Sequence, residues 1–255
     1  MDSDQSFSLK GKVALVTGGS RGLGWEIAQT FAGLGADLII ASRKLEACKE
    51  AASKLEEEHG CRALAIGCHV GRWDDMEQLA SDSYKEFGRI DVLVNNAGMS
   101  PLYPSLPEVS EDLFDKVIAV NLKGPFRLIA LVGSRMAEGD GGSVINVSSV
   151  ASIRPTPAEL PYAAAKAGLD VLTSGYAQAF GPKVRVNTLM AGPFLTDISK
   201  AWDMEALERV WAGYPSRRAG QPSEIAGAAL YLASELASYT TGAVLRVDGG
   251  MAVAL

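Results

Sequence analysis

The chain has 255 residues, of which 47% are hydrophobic and 21% charged, an ordinary globular balance that excludes intrinsic disorder. At this length folding buries roughly 75% of the unfolded surface, so the core needs no disulfide or metal staple. The formal net charge of -6, with no run of basic residues, argues against a nucleic-acid or anionic-membrane surface, which needs a cationic face.

Met1 to Ser8 is polar and acidic, without the apolar core of a signal peptide. No uninterrupted apolar stretch approaches membrane-spanning length. The cysteines, Cys48, Cys61 and Cys68, form no CxxC pair and are odd in number, so they read as reduced thiols of a cytoplasmic protein.

In chain order, Lys12–Thr17 predicts a buried strand, followed by a glycine-rich turn and a helix through about Leu34. Asp37–Ser42 predicts the next strand, and Lys44–His59 a charged helix. Further strands are predicted over Arg62–Gly67, Ile90–Asn95, Ser143–Val147, Val184–Thr188 and Val244–Val247. Helical segments fall between them, around 74–87, 110–137, 162–180 and 222–234. Strands of near-continuous apolar character alternating with amphipathic helices predict α/β architecture with a parallel sheet covered on both faces. With no repeat and no long linker, residues 1–255 read as one domain. Segment 192–216, with Trp202 and Trp211, has no place in the alternation and is read as a substrate-binding loop.

The turn Thr17-Gly18-Gly19-Ser20-Arg21-Gly22-Leu23-Gly24 links the first strand to the first helix. Gly18 is suited to the positive φ of a tight turn, and missing side chains let backbone N–H groups at a helix N-terminus approach a pyrophosphate. The spacing departs from GxGxxG and is not a Walker A loop. At the end of the next strand, where an acidic residue would bind a free ribose diol, the chain has Ser42-Arg43-Lys44. Arg43, Lys44 and Arg21 are read as a clamp on a 2′-phosphate, favouring NADP(H) over NAD(H).

Tyr162 and Lys166 stand four residues apart, on one face of an alanine-rich helix. A neighbouring ammonium is expected to lower the phenol's pKa from its usual ~10 and fit it for acid–base work. Ser149, at the end of its strand, is placed to hydrogen-bond a substrate oxygen.

Together these residues resemble the short-chain dehydrogenase/reductase family, from about Leu9 to Met251. The matching motifs are TGGSRGLG (17–24), NNAG (95–98), VIAVNLKG around Asn121, INVSS (145–149), YAAAK (162–166) and VDGG (247–250). The resemblance implies a Rossmann-type doubly wound sheet of seven parallel strands with helices on both faces. It implies that Gly18, Ser20, Arg21, Gly22, Leu23 and Gly24 cradle the pyrophosphate, and that Asn96, Ala97 and Gly98 border the adenine ribose. Ser149 and Tyr162 would hydrogen-bond the substrate oxygen, with Tyr162 delivering the proton. Lys166 would hold the nicotinamide ribose, Asn121 would support a relay water, and Thr196 would meet the carboxamide. A homotetramer is implied as well, with interfaces on 110–137, 162–180 and Met251–Leu255.

Two positions depart from the family pattern. His69-Val70 stands where an Asp or Asn followed by Val usually faces the adenine, and a structural role for His69 competes with a cofactor contact. Ala191-Gly192-Pro193 replaces the usual Pro-Gly after the sixth strand. The substrate pocket is expected to draw on Met99, Tyr103, Arg154, Leu160, Phe194, Trp202, Met204, Leu207, Trp211 and Tyr214. A 3-oxoacyl thioester, a sugar or polyol, and a steroid or aromatic ketone all remain open as substrates. The competing readings are a catalytically silent NADP(H)-binding sensor or scaffold and a related lyase or epimerase. The complete set of Asn121, Ser149, Tyr162 and Lys166 argues against the first, and the absence of a larger C-terminal substrate domain against the second.

Overall fold

The computed structural model describes residues 7–197, 199 and 204–253; Trp202 and the last two residues of the expected C-terminal interface lie outside them. The strands are β1 (Val13–Thr17), β2 (Asp37–Ser42), β3 (Ala63–Gly67), β4 (Val92–Asn95), β5 (Gly142–Ser149), β6 (Val184–Ala191) and β7 (Val244–Val247). All pair in parallel, in the order β3-β2-β1-β4-β5-β6-β7.

The inner strand β1 is buried along its whole length, and its side chains divide between the faces with the two-residue period of a strand. Val16 joins a core with Ile27, Phe31, Ile40, Leu55 and Leu232 on one face, while Leu15 joins Ile39, Met76, Leu79, Leu93 and Val132 on the other. Fully burying each such side chain is worth roughly 1.5–3 kcal/mol, which is why a sheet with this pattern needs cover on both sides. The cover comes from α1 (Gly22–Gly33), α2 (Leu45–His59), α3 (Trp73–Phe87), α4 (Glu111–Ile118), α5 (Gly124–Glu138), α6 (Leu160–Phe180) and α8 (Ala226–Ala233).

The segment expected as a helix over 110–137 is one continuous helical run, Glu111–Glu138, in which α4 passes into α5 through a π-turn at Ala119–Lys123. By length and composition alone the run Glu111–Glu138 could cross a membrane, but charged residues such as Lys123 and Arg127 interrupt it and half of its apolar window is buried in the fold. Within 192–216 a further helix, α7 (Met204–Trp211), supplies an element the periodicity did not predict. Its Trp211 is buried. β5 and β6 each run past the predicted ends, to Ser149 and Ala191.

Strand order reverses between β1 and β4, whose successors β2 and β5 lie on opposite sides. A crevice therefore opens beyond their C-terminal ends, where open α/β sheets bind ligands. The glycine-rich turn, Asn95-Asn96, Ser149 and the loop after β6 all arrive at that edge.

Candidate active site

The turn after β1 is held from β4. Thr17 Oγ1 accepts hydrogen bonds from the backbone N–H groups of Asn96 (3.0 Å) and Ala97 (3.1 Å). The Asn96 amide in turn donates to the carbonyls of Thr17 (2.9 Å) and Gly18 (3.3 Å). Gly18 and Gly22 have φ of +67° and +57°, a region costly for other residues. A side chain at Gly24 would run into the Gly18 carbonyl. The first turn of α1 is thereby packed down on the loop, leaving an open cradle at a helix N-terminus that suits a pyrophosphate.

At the end of β2, the Ser20 hydroxyl donates to Ser42 Oγ at 3.2 Å, and Ser42 Oγ lies 3.0 Å from the buried Cys48 Sγ. Burial pushes the Cys48 thiol's pKa up, and that of Cys68 up to about 12, so both are poor nucleophiles. Arg21, Arg43 and Lys44 are exposed around this contact. Among the described residues none of the three is in an ion pair. No carboxylate among the described residues pairs with the cations that a 2′-phosphate would need, so the residues present fit a phosphorylated dinucleotide.

His69 is spent locally. Its Nδ1 accepts from Gly71 N at 3.2 Å, and its own N–H donates to Asp75 Oδ2 at 2.8 Å. Those bonds build the turn after β3, which favours the structural role over a contact to adenine. Val70 is buried there, its carbonyl backed closely against Gly124.

Beyond β5, Ser149 and not Ser148 faces Tyr162. Ser148 is buried and points toward the Lys166 carbonyl (3.5 Å), whereas Ser149 lies close enough to the Tyr162 phenol to pull its pKa down. Ser149 Oγ also accepts from Ala151 N at 3.2 Å. Lys166, one helical turn after Tyr162, is 3% exposed, and its ammonium donates to the Val147 carbonyl at 2.8 Å. The ammonium stands 5.7 Å from the centre of the Tyr162 ring.

The electrostatics correct one expectation. Tyr162's pKa is pushed up to about 12, because burial outweighs the lowering by Ser149, and the Glu159 carboxylate pushes the same way. The Lys166 ammonium does not depress it. Burial instead brings Lys166 itself down to about 8, against a smaller opposing pull from Asp170.

Asn121 sits in the π-turn with its side chain fully buried. Its amide N–H groups donate to the carbonyls of Met99 (2.8 Å) and Val117 (2.9 Å), and its Oδ1 accepts from Met99 N at 3.2 Å. Gly98 lies between Asn121 and Lys166: a methyl there would meet Asn121 Oδ1 at 2.9 Å and Lys166 Nζ at 3.7 Å.

The loop after β6 reaches back over the cradle, since a methyl on Gly22 would sit 3.6 Å from Thr196 Cγ2. Gly192 N–H donates to the Val247 carbonyl at 3.0 Å, and Pro193 O accepts from Gly220 N at 2.9 Å, so the Ala-Gly-Pro variant keeps an ordered turn. A groove beside Tyr162 is lined by Pro101, Tyr103, Leu113, Val117, Glu159 and Pro161. Of these, only Tyr103 was expected. Leu113 and Val117 follow the apolar spacing of α4, and only the packing of that helix over the groove reveals them. Phe194 lines a separate cavity with Ser216, Arg218 and Glu224, and Arg154 Nη1 donates to the Met251 carbonyl at 2.8 Å.

Residues 18–252 match the family model described as enoyl-(acyl carrier protein) reductase. The chain is 38% identical over 245 residues to human dehydrogenase/reductase SDR family member 4, covering 95% of this chain and 88% of that one. It is 39% identical over 246 residues to the 3-oxoacyl-acyl-carrier-protein reductase of Chlamydia trachomatis serovar D, covering 96% and 98%. A solved gluconate 5-dehydrogenase from Burkholderia cenocepacia, in complex with NADP and tartrate, superposes with a TM-score of 0.94 at 32% identity, over 99% of this chain and all of that one. With glycine cradle, Ser149, Tyr162 and Lys166 gathered at one sheet edge and relatives matching over nearly the full length, the chain belongs to the short-chain dehydrogenase/reductase family of oxidoreductases.

Proposed function

We propose that this chain is an NADP(H)-dependent enzyme that interconverts a ketone and a secondary alcohol, with Tyr162 as general acid and base. One arrangement carries the reading: Ser149 lies beside the Tyr162 phenol at the C-terminal edge of the sheet, next to a buried Lys166. A bound nicotinamide supplies or accepts the hydride. The substrate oxygen sits between the two hydroxyls, where both stabilise the charge that develops on it. At neutral pH Tyr162 is protonated, its pKa being about 12, and so it is ready to give its proton to that oxygen. Lys166, with a pKa of about 8, exchanges a proton readily near neutrality and recharges Tyr162. Thr196 and the glycine cradle orient the cofactor, and Asn121 fixes the segment that carries Met99 at the site's border.

The preference for NADP(H) is supported by Arg21, Arg43 and Lys44, exposed and in no ion pair among the described residues, and by the absence of an acidic residue at the end of β2. The Burkholderia relative was solved with NADP. We further propose that residues 1–255 act as one cofactor-binding domain, in the cytoplasm, as a homotetramer. Exposed Phe114, Phe126 and Val171 on the helices over 110–137 and 162–180 support the assembly; a monomer in solution scattering would remove it.

The experiment is NADPH oxidation against cyclohexanone, ethyl acetoacetate, an acetoacetyl thioester, a ketohexose, a quinone and an oxosteroid. Turnover of any member is the expected result. Tight NADPH binding with no hydride transfer across the panel contradicts the reading and favours a silent binder.

A further inference from the structure

We propose that Tyr103 is a positioning residue for the reaction: its hydroxyl pins the first turn of α6, which carries Tyr162, to the loop after β4. The inference rests on the reading of Tyr162 as proton donor.

The start of α6 lacks a cap of its own. Glu159, at the N-cap, makes no side-chain cap hydrogen bond; its carboxylate accepts instead from Thr156 Oγ1 at 3.2 Å. Pro161 has no N–H to offer. The Leu160 N–H, the first of the helix, is an orphan that needs an outside acceptor. Tyr103 Oη accepts it at 2.9 Å, and the same hydroxyl donates to the Pro157 carbonyl at 2.6 Å. One side chain from a loop more than fifty residues away therefore closes both the helix start and the turn leading into it.

The loop that carries Tyr103 is itself anchored at its other end. Met99 exchanges two hydrogen bonds with the Asn121 side chain, donating its N–H at 3.2 Å and accepting at its carbonyl at 2.8 Å. Residues 99–103 thus form a strut between the buried π-turn and the helix start, and Pro101 and Tyr103 line the groove beside Tyr162. Tyr162 lies two residues beyond the pinned N–H. A displacement of about 1 Å at a reacting group can cost about a hundredfold in rate, so a strut at this place acts on turnover. Its two backbone partners are near solvent, and water can replace the hydroxyl, so little stability depends on it.

The test compares wild type, Tyr103→Phe and Tyr162→Phe as full chains, by hydrogen exchange and by kinetics with NADPH and the ketone that wild type reduces fastest. In Tyr103→Phe, amide exchange at Leu160 is expected to quicken about tenfold while the rest of α6 keeps its protection. The variant's kcat is expected to fall tenfold or more, with KM and NADPH affinity within twofold of wild type. Unchanged exchange at Leu160, which needs no substrate to measure, overturns the strut. Unchanged kcat overturns the positioning role even if exchange quickens. Exchange quickened throughout the molecule, with activity lost in proportion to the folded fraction, replaces positioning with a structural role. Activity surviving in Tyr162→Phe removes the proton-donor reading and this inference with it; loss there with intact turnover in Tyr103→Phe removes the inference alone.

Discussion

The ammonium of Lys166 donates a 2.8 Å hydrogen bond to the carbonyl of Val147, in a place where 3% of the residue is exposed. A charge held there is costly, and burial brings the lysine's pKa down to about 8 from 10.5. Between those values the unfolded chain binds a proton that the folded chain has released, so this group makes stability rise with pH. Relative to Lys166→Met, wild type should gain about 3 kcal/mol between pH 7 and pH 11. Urea unfolding of both proteins across that range measures it. A difference that stays constant, or moves the other way, contradicts the burial of a charged lysine.

The same shift sets a limit on the pH range of turnover. Tyr162 holds its proton to about pH 12 and Lys166 gives up its own near 8. If the lysine recharges Tyr162, kcat for ketone reduction should fall above about pH 8, while NADPH binding holds. A profile flat to pH 10 would separate Lys166's charge from the chemistry.

Asn96 spends its amide on the carbonyls of Thr17 and Gly18, at 2.9 and 3.3 Å, and so shapes the cofactor turn from the neighbouring strand. Asn96→Ala leaves two partly buried carbonyls short of a donor, at a cost of about 1–3 kcal/mol. Thermal unfolding should show that loss. NADPH and NADH affinities should weaken together, since the pyrophosphate cradle serves both.

Arg43 should act on one cofactor alone. It is exposed and in no ion pair among the described residues, so its removal leaves the fold unchanged. Arg43→Ala is expected to raise the Kd for NADPH ten- to a hundredfold and to leave that for NADH within twofold. Equal losses for both, or none, would remove the 2′-phosphate clamp.

The sheet and its edge were legible because strands buried on both faces are written as unbroken apolar runs, and β1 is one of them. Tyr162 and Lys166 were legible because a spacing of four residues makes neighbours on a helix. The choice of Ser149 over Ser148 rested on the family's spacing to Tyr162; strand alternation gives its physical reason, since it buries the Ser148 hydroxyl against the Lys166 carbonyl and leaves Ser149 beside the phenol. What depended on packing across distant segments was not legible. Periodicity foresaw the helical run over 110–137 but not the π-turn within it, where the Asn121 side chain is buried. The Tyr162 pKa was misjudged because a nearby lysine suggests lowering, while enclosure of the phenol, which no local spacing encodes, raises it. Tyr103 read as a pocket residue; its partners Pro157 and Leu160 are more than fifty positions away. Helix α7 is short, at eight residues, and lies in a segment whose composition read as loop.

The central claim is that Tyr162 delivers the proton. The most direct measurement is single-turnover NADPH oxidation with the fastest-reduced ketone, comparing wild type with Tyr162→Phe, alongside NADPH affinity for both. The account predicts unchanged NADPH affinity and a rate lower by about a thousandfold or more, within the range that removal of a general acid produces. A variant that binds NADPH and transfers hydride within tenfold of the wild-type rate would contradict it.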